Sequence, residues 1–176
     1  MAKLPVQDTT VSKIYKAYED NQEGGNRLHL GASIIGRECD NELWLTFHWA
    51  TNKSFDGRLL RLFETGHMAE ERFTANLKSA GVTVHDADQN GTQFRISDHG
   101  GHFGGSMDGC GIGFMEAPKA WHVVEYKTHS EKSFKLVEKN GVEKAKPEHL
   151  AQMQVYMRKT GMDRAYYLAV NKNTDH

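Results

Sequence analysis

The hydrophobic pattern of the chain changes at Gly81. Before it, apolar residues between Arg58 and Ala80 recur at helical spacing, which predicts one long helix. After it, short alternating apolar segments are separated by glycine-rich turns, a pattern typical of β-strands. A last helix and a last strand follow, so the order is helices, a sheet, a helix and one more strand. This order predicts a fold of the α/β (α+β) class.

Caps and periodicity give the other predicted elements. Helices are predicted at Val11 to Asn21, at a segment capped by Ser33 that runs through Ile34, Ile35, Leu43, Leu45 and Phe47, at Lys132 to Val137, and at Glu148 to Thr160, which Pro147 opens. Strands are predicted at Val82 to His85, Thr92 to Ser97, His102 to Asp108, Ile112 to Met115, His122 to Tyr126 and Arg164 to Val170. The first five strands are expected to form one sheet.

Gly66 lies inside the longest predicted helix. A glycine in a helix interior costs about 1 kcal/mol relative to alanine, so its presence needs a reason. Three reasons are open: the helix breaks there, another segment of backbone approaches closely, or a ligand does.

Composition limits the class of protein. The 176 residues suit one domain, and 22 lysines and arginines against 23 aspartates and glutamates give a net charge of −1, which does not indicate a nucleic-acid binder by bulk charge. No apolar run approaches the roughly 20 residues that a membrane span needs, and no apolar signal segment begins the chain. With only Cys39 and Cys110, a disulfide framework or a four-cysteine metal site is excluded, so a cytoplasmic protein is expected.

Two features of the composition suggest a ligand but also have explanations that need none. Seven lysines between Lys119 and Lys146 could bind DNA phosphates, or could simply form a solvated helix and loop. The ten histidines show no zinc-binding spacing, and we expect surface or core histidines without a metal. A phosphate-binding glycine loop is also missing from the sequence.

The most informative residues are Asp108 and the triplet Glu125-Tyr126-Lys127. On a strand, Glu125 and Lys127 leave the same face and Tyr126 the opposite face, and Asp108 at the end of a neighbouring strand can join them. Two carboxylates suit a hard divalent cation such as Mg²⁺, and the lysine can orient a water or stabilise an anionic phosphate. Phosphodiester hydrolysis uses these groups together.

These residues resemble the PD-(D/E)xK nuclease signature. Two further motifs are similar to those of the RecB-like branch, which includes Cas4-type and lambda-type phage exonucleases, and they occur in the same order along the chain. They are a QxxxY motif formed by Gln152 and Tyr156 and a GxxxE motif formed by Gly66 and Glu70. The position that is histidine in RecB is Glu70 here, which is closer to the lambda-type pattern.

The resemblance implies a restriction-endonuclease-like αβββαβ core, with a central mixed sheet flanked by helices. It implies one nuclease domain over 1–176, in which 1–30 form an N-terminal helical extension and 31–172 the core. The implied cofactor is Mg²⁺ or Mn²⁺. The implied metal ligands are Glu70, Asp108, Glu125 and the Tyr126 carbonyl, and the implied catalytic residues are Asp108, Glu125 and Lys127, with Gln152 and Tyr156 bordering the site to position DNA.

The function that this resemblance implies is an exonuclease acting at DNA ends in phage or bacterial recombination or DNA processing. Cas4-type relatives hold an iron-sulfur cluster with four cysteines, which this sequence cannot supply. Any unwinding would need a helicase partner, and a single-strand annealing protein or a homo-oligomer is also possible. The open alternatives are a structure- or sequence-selective endonuclease and a non-cleaving module that binds DNA or a partner.

Two of the implied site residues have structural alternatives. Glu70, followed by Glu71 and Arg72, could belong to the charged face of an amphipathic helix. Tyr156 could be a core aromatic whose hydroxyl finds a hydrogen-bond partner.

Overall fold

The first helix, α1 (Thr10–Asp20), begins at a capping box in which Thr9 and Ser12 bond each other's backbone N–H. Its bounds confirm the helix predicted at Val11 to Asn21 to within one residue. The structure is a computed structural model that describes residues 8–22, 27–50 and 54–176. From its glycines and polar residues the sequence also predicts a loop at 23–26 and a turn at 52–57. The loop, the start of the turn and the first residues of the extension predicted at 1–30 lie outside the described ranges.

The described residues form five α-helices and seven strands, most of the strands being short. In chain order they are α1, β1 (Leu30–Gly31), α2 (Asp40–Phe47), α3 (Gly57–Ser79), β2 (Thr83–His85), β3 (Arg95–Asp98), β4 (Phe103–Ser106), β5 (Gly109–Ile112), β6 (His122–His129), α4 (Glu131–Ala145), α5 (Pro147–Thr160) and β7 (Ala165–Asn171). None of the helices in the described ranges is long and apolar enough to cross a membrane.

The strands form two sheets, so the prediction of one sheet is wrong. The larger sheet has the order β2-β5-β6-β7 and is mixed, because β6 and β7 are parallel and the other pairs antiparallel. The smaller sheet has the order β1-β4-β3. The chain changes sheets at Met107 and Asp108, between β4 and β5, where Met107 is buried and its N–H bonds the Phe94 carbonyl. This long-range packing is not visible in the local strand pattern.

Glycines explain why the predicted strand at Ile112 to Met115 is wrong. The strand is Gly109–Ile112, and it ends because Gly113 takes φ of 99°, a backbone conformation that side-chain-bearing residues rarely adopt. The two other strands of this region are shorter or shifted relative to the predictions at Thr92 to Ser97 and His102 to Asp108. Asp108 therefore lies in a connection, one residue before β5, and not inside a strand.

The helix predicted from Ser33 through Phe47 is also wrong. A 3-10 turn at Ala32–Ile34 and the separate helix α2 replace it. The break falls around Gly36, where an added Cβ would lie 2.7 Å from both the Glu148 Cα and the Ala151 Cβ of α5. The chain at Gly36 thus packs directly on another helix, which a continuous amphipathic helix would not permit.

The remaining helices agree better with prediction. α3 and α5 match the predicted helices to within a residue or two, and α5 ends at Gly161, which has a left-handed conformation. The helix predicted at Lys132 to Val137 is longer, because it continues to Ala145 past a non-helical residue, Gly141.

Strand β6 lies between two hydrophobic clusters. On one face, Val124 and Tyr126 pack with Phe73 and Leu77 of α3. On the other face, Val123 belongs to a cluster with Tyr156 of α5, Met107 and Ala32. Residues at alternate positions of β6 therefore face α3 and α5 in turn, which is the alternation expected of a strand buried on both faces.

Candidate active site

Strand β6 carries the predicted triplet with the predicted alternation. Glu125 is fully buried, with 0% of its surface exposed, and its carboxylate forms an ion pair with the Lys127 ammonium on the same face. Tyr126 points to α3, where its hydroxyl is hydrogen-bonded to Thr74 Oγ1 at 3.0 Å. The structure thus brings Glu125 and Lys127 together and directs Tyr126 away.

Asp108 joins this pair through the backbone of β6. Its Oδ2 accepts a 2.7 Å hydrogen bond from the N–H of Tyr126, the residue that follows Glu125. The aspartate reaches β6 because the chain between β4 and β5 crosses from one sheet to the other beside it. The three predicted catalytic residues Asp108, Glu125 and Lys127 are therefore neighbours in the structure.

Lys127 holds two groups that the sequence predicts as metal ligands. Its Nζ donates a hydrogen bond to Glu125 Oε1 and another, of 3.2 Å, to the carbonyl oxygen of Tyr126. The second carboxylate oxygen, Glu125 Oε2, is buried and has no hydrogen-bond partner among the described residues. A buried, unpartnered carboxylate oxygen is costly, and a cation would satisfy it.

Burial dominates the electrostatics of the carboxyl groups. It raises the pKa of Glu125 to about 7, with smaller upward effects of Asp108 and Glu70 and an opposing effect of Lys127. Burial also raises the pKa of Asp108, opposed by Lys127 and by the hydrogen bond from Tyr126. The pKa of Glu70 is raised by burial and then by the charge of Asp108. Three mutually repelling carboxyl groups are the setting in which a divalent cation is bound.

Glu70 reaches the site from α3. Its Oε1 lies 3.2 Å from His67 Nδ1, and both residues line a pocket of about 490 Å³ together with Asp108. Because Glu70 lines this pocket, it does more than belong to the charged outer face of an amphipathic helix. Its interactions with Asp108 and Glu125 are electrostatic rather than direct hydrogen bonds.

The donor set fits a hard cation, but the side chains are not gathered around one point. Within residues 8–22, 27–50 and 54–176, no three histidine, cysteine, aspartate or glutamate side chains form a group that could hold a metal ion. Carboxylate oxygens and a backbone carbonyl are the ligands that Mg²⁺ and Mn²⁺ prefer. Asp108, Glu125, Glu70 and the Tyr126 carbonyl are groups of these kinds.

Helix α5 supplies the other two predicted residues to the same pocket. Tyr156 is buried, and its hydroxyl donates a 2.6 Å hydrogen bond to the carbonyl oxygen of Ser106. The Gln152 side-chain amide donates a longer bond, of 3.4 Å, to the Tyr156 hydroxyl, while Gln152 Oε1 is buried without a partner in the described ranges. Burial raises the pKa of Tyr156 to about 12, so the phenol stays neutral. Tyr156 is thus a core aromatic with a partnered hydroxyl that also borders the pocket.

A network beside the site was not predicted. The Tyr167 hydroxyl of β7 is hydrogen-bonded at 2.8 Å to both His129 Nε2 and His149 Nδ1, and His129 Nδ1 is bonded at 2.9 Å to Ser133 Oγ. One signal was available, because His129 follows Lys127 by two residues and so shares its strand face. No local signal indicates Tyr167 or His149, which come from other elements.

The two arginines of the site were not predicted either. Arg27, which precedes β1, lines the pocket with Arg95 of β3. The sequence instead indicated the seven lysines between Lys119 and Lys146 as candidates for binding DNA phosphates. Of these, Lys127 alone lines the described pockets around Glu70. Arg27 and Arg95 are 68 positions apart in the sequence, and they come together because β1 and β3 flank β4 in the smaller sheet.

Comparison with known proteins assigns the fold. No protein family model and no curated protein matches the sequence of this chain. The mixed sheet flanked by helices is the restriction-endonuclease-like nuclease fold. A solved structure that shares it is LHK-Exo, crystallised in complex with dAMP, with a TM-score of 0.55 and 18% sequence identity over 92% of this chain and 74% of that chain. At this identity the match shows the fold, and the RecB-like, lambda-type branch stays a prediction.

Proposed function

We propose that this chain is a metal-dependent deoxyribonuclease that acts as an exonuclease at DNA ends. The observation that carries the proposal is the ion pair of the buried Glu125 with Lys127, beside Asp108. These residues lie on a nuclease fold, and Glu125 Oε2, which has no hydrogen-bond partner in the described part of the chain, leaves a position for a cation. The proposal includes a single nuclease domain, with 31–172 as its core.

Mg²⁺ or Mn²⁺ is the proposed cofactor, held by Asp108, Glu125 and the Tyr126 carbonyl, with Glu70 completing the set. A bound divalent ion supplies Lewis-acid charge to a phosphodiester and to its nucleophile. The other interactions of the site come from the protein's own side chains. Lys127 Nζ would orient a water or stabilise the phosphate, because a preorganised charge in a poorly solvated site is effective.

Helix α5 provides positioning. Gln152 lines the pocket that Asp108 also lines, and its Oε1, which has no partner among the described residues, can accept a hydrogen bond from a water or a nucleotide. Tyr156 fixes the Ser106 carbonyl and through it the chain just before Asp108. Both residues orient the site, and neither moves a proton.

Action at DNA ends is supported by two features. The pocket of about 490 Å³ has the size of sites that take nucleotide-sized ligands. The exonuclease LHK-Exo, which shares the fold, was crystallised with a mononucleotide, dAMP. On this proposal the protein works in bacterial or phage DNA processing, with a helicase or a single-strand annealing protein as partner.

A non-cleaving module that binds DNA is the second candidate. The observation that favours it is that the described carboxylates are not gathered into a metal-binding group. The intact set of Asp108, Glu125 and Lys127 favours cleavage instead.

The test uses linear and closed-circular duplex DNA with Mg²⁺, with Mn²⁺ and with EDTA. We expect degradation of linear DNA only, abolished by EDTA and by Lys127→Ala but unchanged in Lys78→Ala, which removes an exposed lysine of α3. Cleavage of circles would make the protein an endonuclease. DNA binding without cleavage of either substrate would identify the non-cleaving module.

A further inference from the structure

Gly66 occupies the middle of an unbroken helix. α3 runs from Gly57 to Ser79 with no non-helical residue recorded inside it. Among the described residues outside the helix, an added Cβ at Gly66 would meet only Thr128 Oγ1, at 3.8 Å, an ordinary van der Waals distance. The helix therefore does not break at Gly66, and within the described ranges no other backbone approaches it. Of the three reasons for a glycine here, the approach of a ligand is the one that the described residues support.

The space beside Gly66 is a groove. It has a volume of about 470 Å³ and lies between α3 and the end of β6, and we call it the α3 groove. Its lining includes Arg27, Gly66, Lys127, Thr128 and Lys172.

The α3 groove adjoins the pocket that contains Asp108 and Gln152. Both depressions are lined by Arg27, His67 and Glu70, so they meet at these three residues. A chain molecule bound at Asp108 would therefore continue along α3 into the α3 groove.

The charge of the α3 groove favours an anion. Arg27, Lys127 and Lys172 contribute three cations, against one carboxylate from Glu70. Lys127 is paired with Glu125, whereas no ion pair of the Arg27 or Lys172 side chain occurs among the described residues. Cationic side chains without acidic partners at a groove are suited to bind backbone phosphates.

We propose that the α3 groove binds the sugar-phosphate backbone of the DNA strand next to the phosphate at Asp108 and Glu125, with Lys172 and Arg27 contacting its phosphates. Gly66 is glycine because this backbone passes over it. The inference rests on the proposed function, since it assigns a part of the same substrate.

The first experiment fills the α3 groove without disturbing the fold. Gly66→Gln places a side chain in the groove and improves helix propensity, so its melting temperature should equal or exceed that of the wild type. We expect at least a tenfold rise in the Kd of a short fluorescent DNA, measured by anisotropy in Ca²⁺, and a matching loss of kcat/KM in Mg²⁺. Gly66→Ala should lose far less, and Ala75→Gln, at an exposed position of α3, should lose nothing.

The second experiment measures the phosphate contact of Lys172. Because each neutralised phosphate contributes about one unit to the slope of log Kd against log salt concentration, Lys172→Gln should reduce that slope by about one. Lys78→Gln, which removes an exposed lysine near the C-terminal end of α3 that is outside the lining of the α3 groove, should not. Wild-type binding by Gly66→Gln together with an unchanged slope in Lys172→Gln would overturn the inference while the nuclease proposal stands. A wild type that neither binds nor cleaves DNA would overturn both.

Discussion

The Tyr156 hydroxyl holds the carbonyl oxygen of Ser106 at 2.6 Å, which ties α5 to β4 two residues before Asp108. The contact depends on Gly105, since a Cβ there would lie 2.7 Å from the Tyr156 hydroxyl oxygen and 2.9 Å from the Ala32 Cβ. Tyr156 is thus a positioning residue, because it fixes the segment that carries Asp108 without touching Asp108 itself in the described contacts.

Removal of the Tyr156 hydroxyl should weaken both the fold and the site. Tyr156→Phe leaves the Ser106 carbonyl without this donor, and we expect a loss of about 1–2 kcal/mol in the free energy of unfolding. Cleavage should fall mainly in kcat, because Asp108 is displaced while DNA binding is retained. Denaturant titration and steady-state kinetics measure the two effects. Tyr166→Phe is the control, because the Tyr166 hydroxyl has no hydrogen bond in the part of the chain described. Equal losses in both variants would contradict the prediction.

Replacement of Glu125 should stabilise the metal-free protein while it abolishes cleavage. Burial raises the pKa of Glu125 to about 7, above its ordinary value of 4.5, so its contribution to stability is full below 4.5 and is lost as pH rises towards 7. Glu125→Gln removes that loss. In EDTA at pH 8 we expect a gain of about 1–3 kcal/mol over wild type, since one pKa unit corresponds to about 1.4 kcal/mol. The gain should vanish near pH 4.

Urea titrations of both proteins at several pH values provide the measurement. Glu143→Gln, at an exposed position of α4, is the matched control and should show no such gain. A Glu125→Gln variant less stable than wild type at pH 8 would show that the ion pair with Lys127 outweighs the cost of burial.

A divalent cation should stabilise the wild type through the same carboxylates. A ligand that binds only the folded state adds about 2.7 kcal/mol at a concentration of one hundred times its Kd. We expect the melting temperature to rise with Mg²⁺ or Mn²⁺ and to respond much less in Asp108→Asn, which keeps an acceptor for the Tyr126 N–H but loses the charge. Calorimetric melting at increasing metal concentration tests this. An equal rise in Asp108→Asn would place the cation elsewhere.

Local patterns predicted those parts of the fold and site that depend on near neighbours in sequence. The alternation of Glu125, Tyr126 and Lys127 on β6, and the four-residue spacing of Gln152 and Tyr156 on α5, follow from strand and helix geometry alone. The division into two sheets did not follow, because it depends on the crossing at Asp108. The break at Gly36 depends on contact with α5, more than one hundred residues away. The partners of Tyr167 likewise come from two other elements.

The histidines beside the site should make stability fall in acid. Burial lowers the pKa of His129 to about 4 and that of His149 to about 3, with nearby positive charge adding to both. Because both values lie below the ordinary 6.5, the stability they contribute is full above pH 6.5 and is lost as pH falls towards 4. The groups that interact with the two rings are Ser133 of α4, Tyr167 of β7 and the lysines Lys127, Lys146 and Lys172, with Glu148 3.8 Å from His149 Nε2.

His149→Gln should make the protein less sensitive to acid, because one buried group that resists protonation is removed. Between pH 6 and 4 the slope of the unfolding free energy against pH should fall by up to about 1.4 kcal/mol per pH unit relative to wild type. Urea titrations across this range measure the slope for both proteins. The difference between the two slopes reports on His149 alone, because the opposite contribution of Glu125 is the same in both proteins. His85→Gln, at an exposed position of β2, should leave the slope unchanged. An unchanged slope in His149→Gln would mean that His149 is not held neutral by its burial against Tyr167.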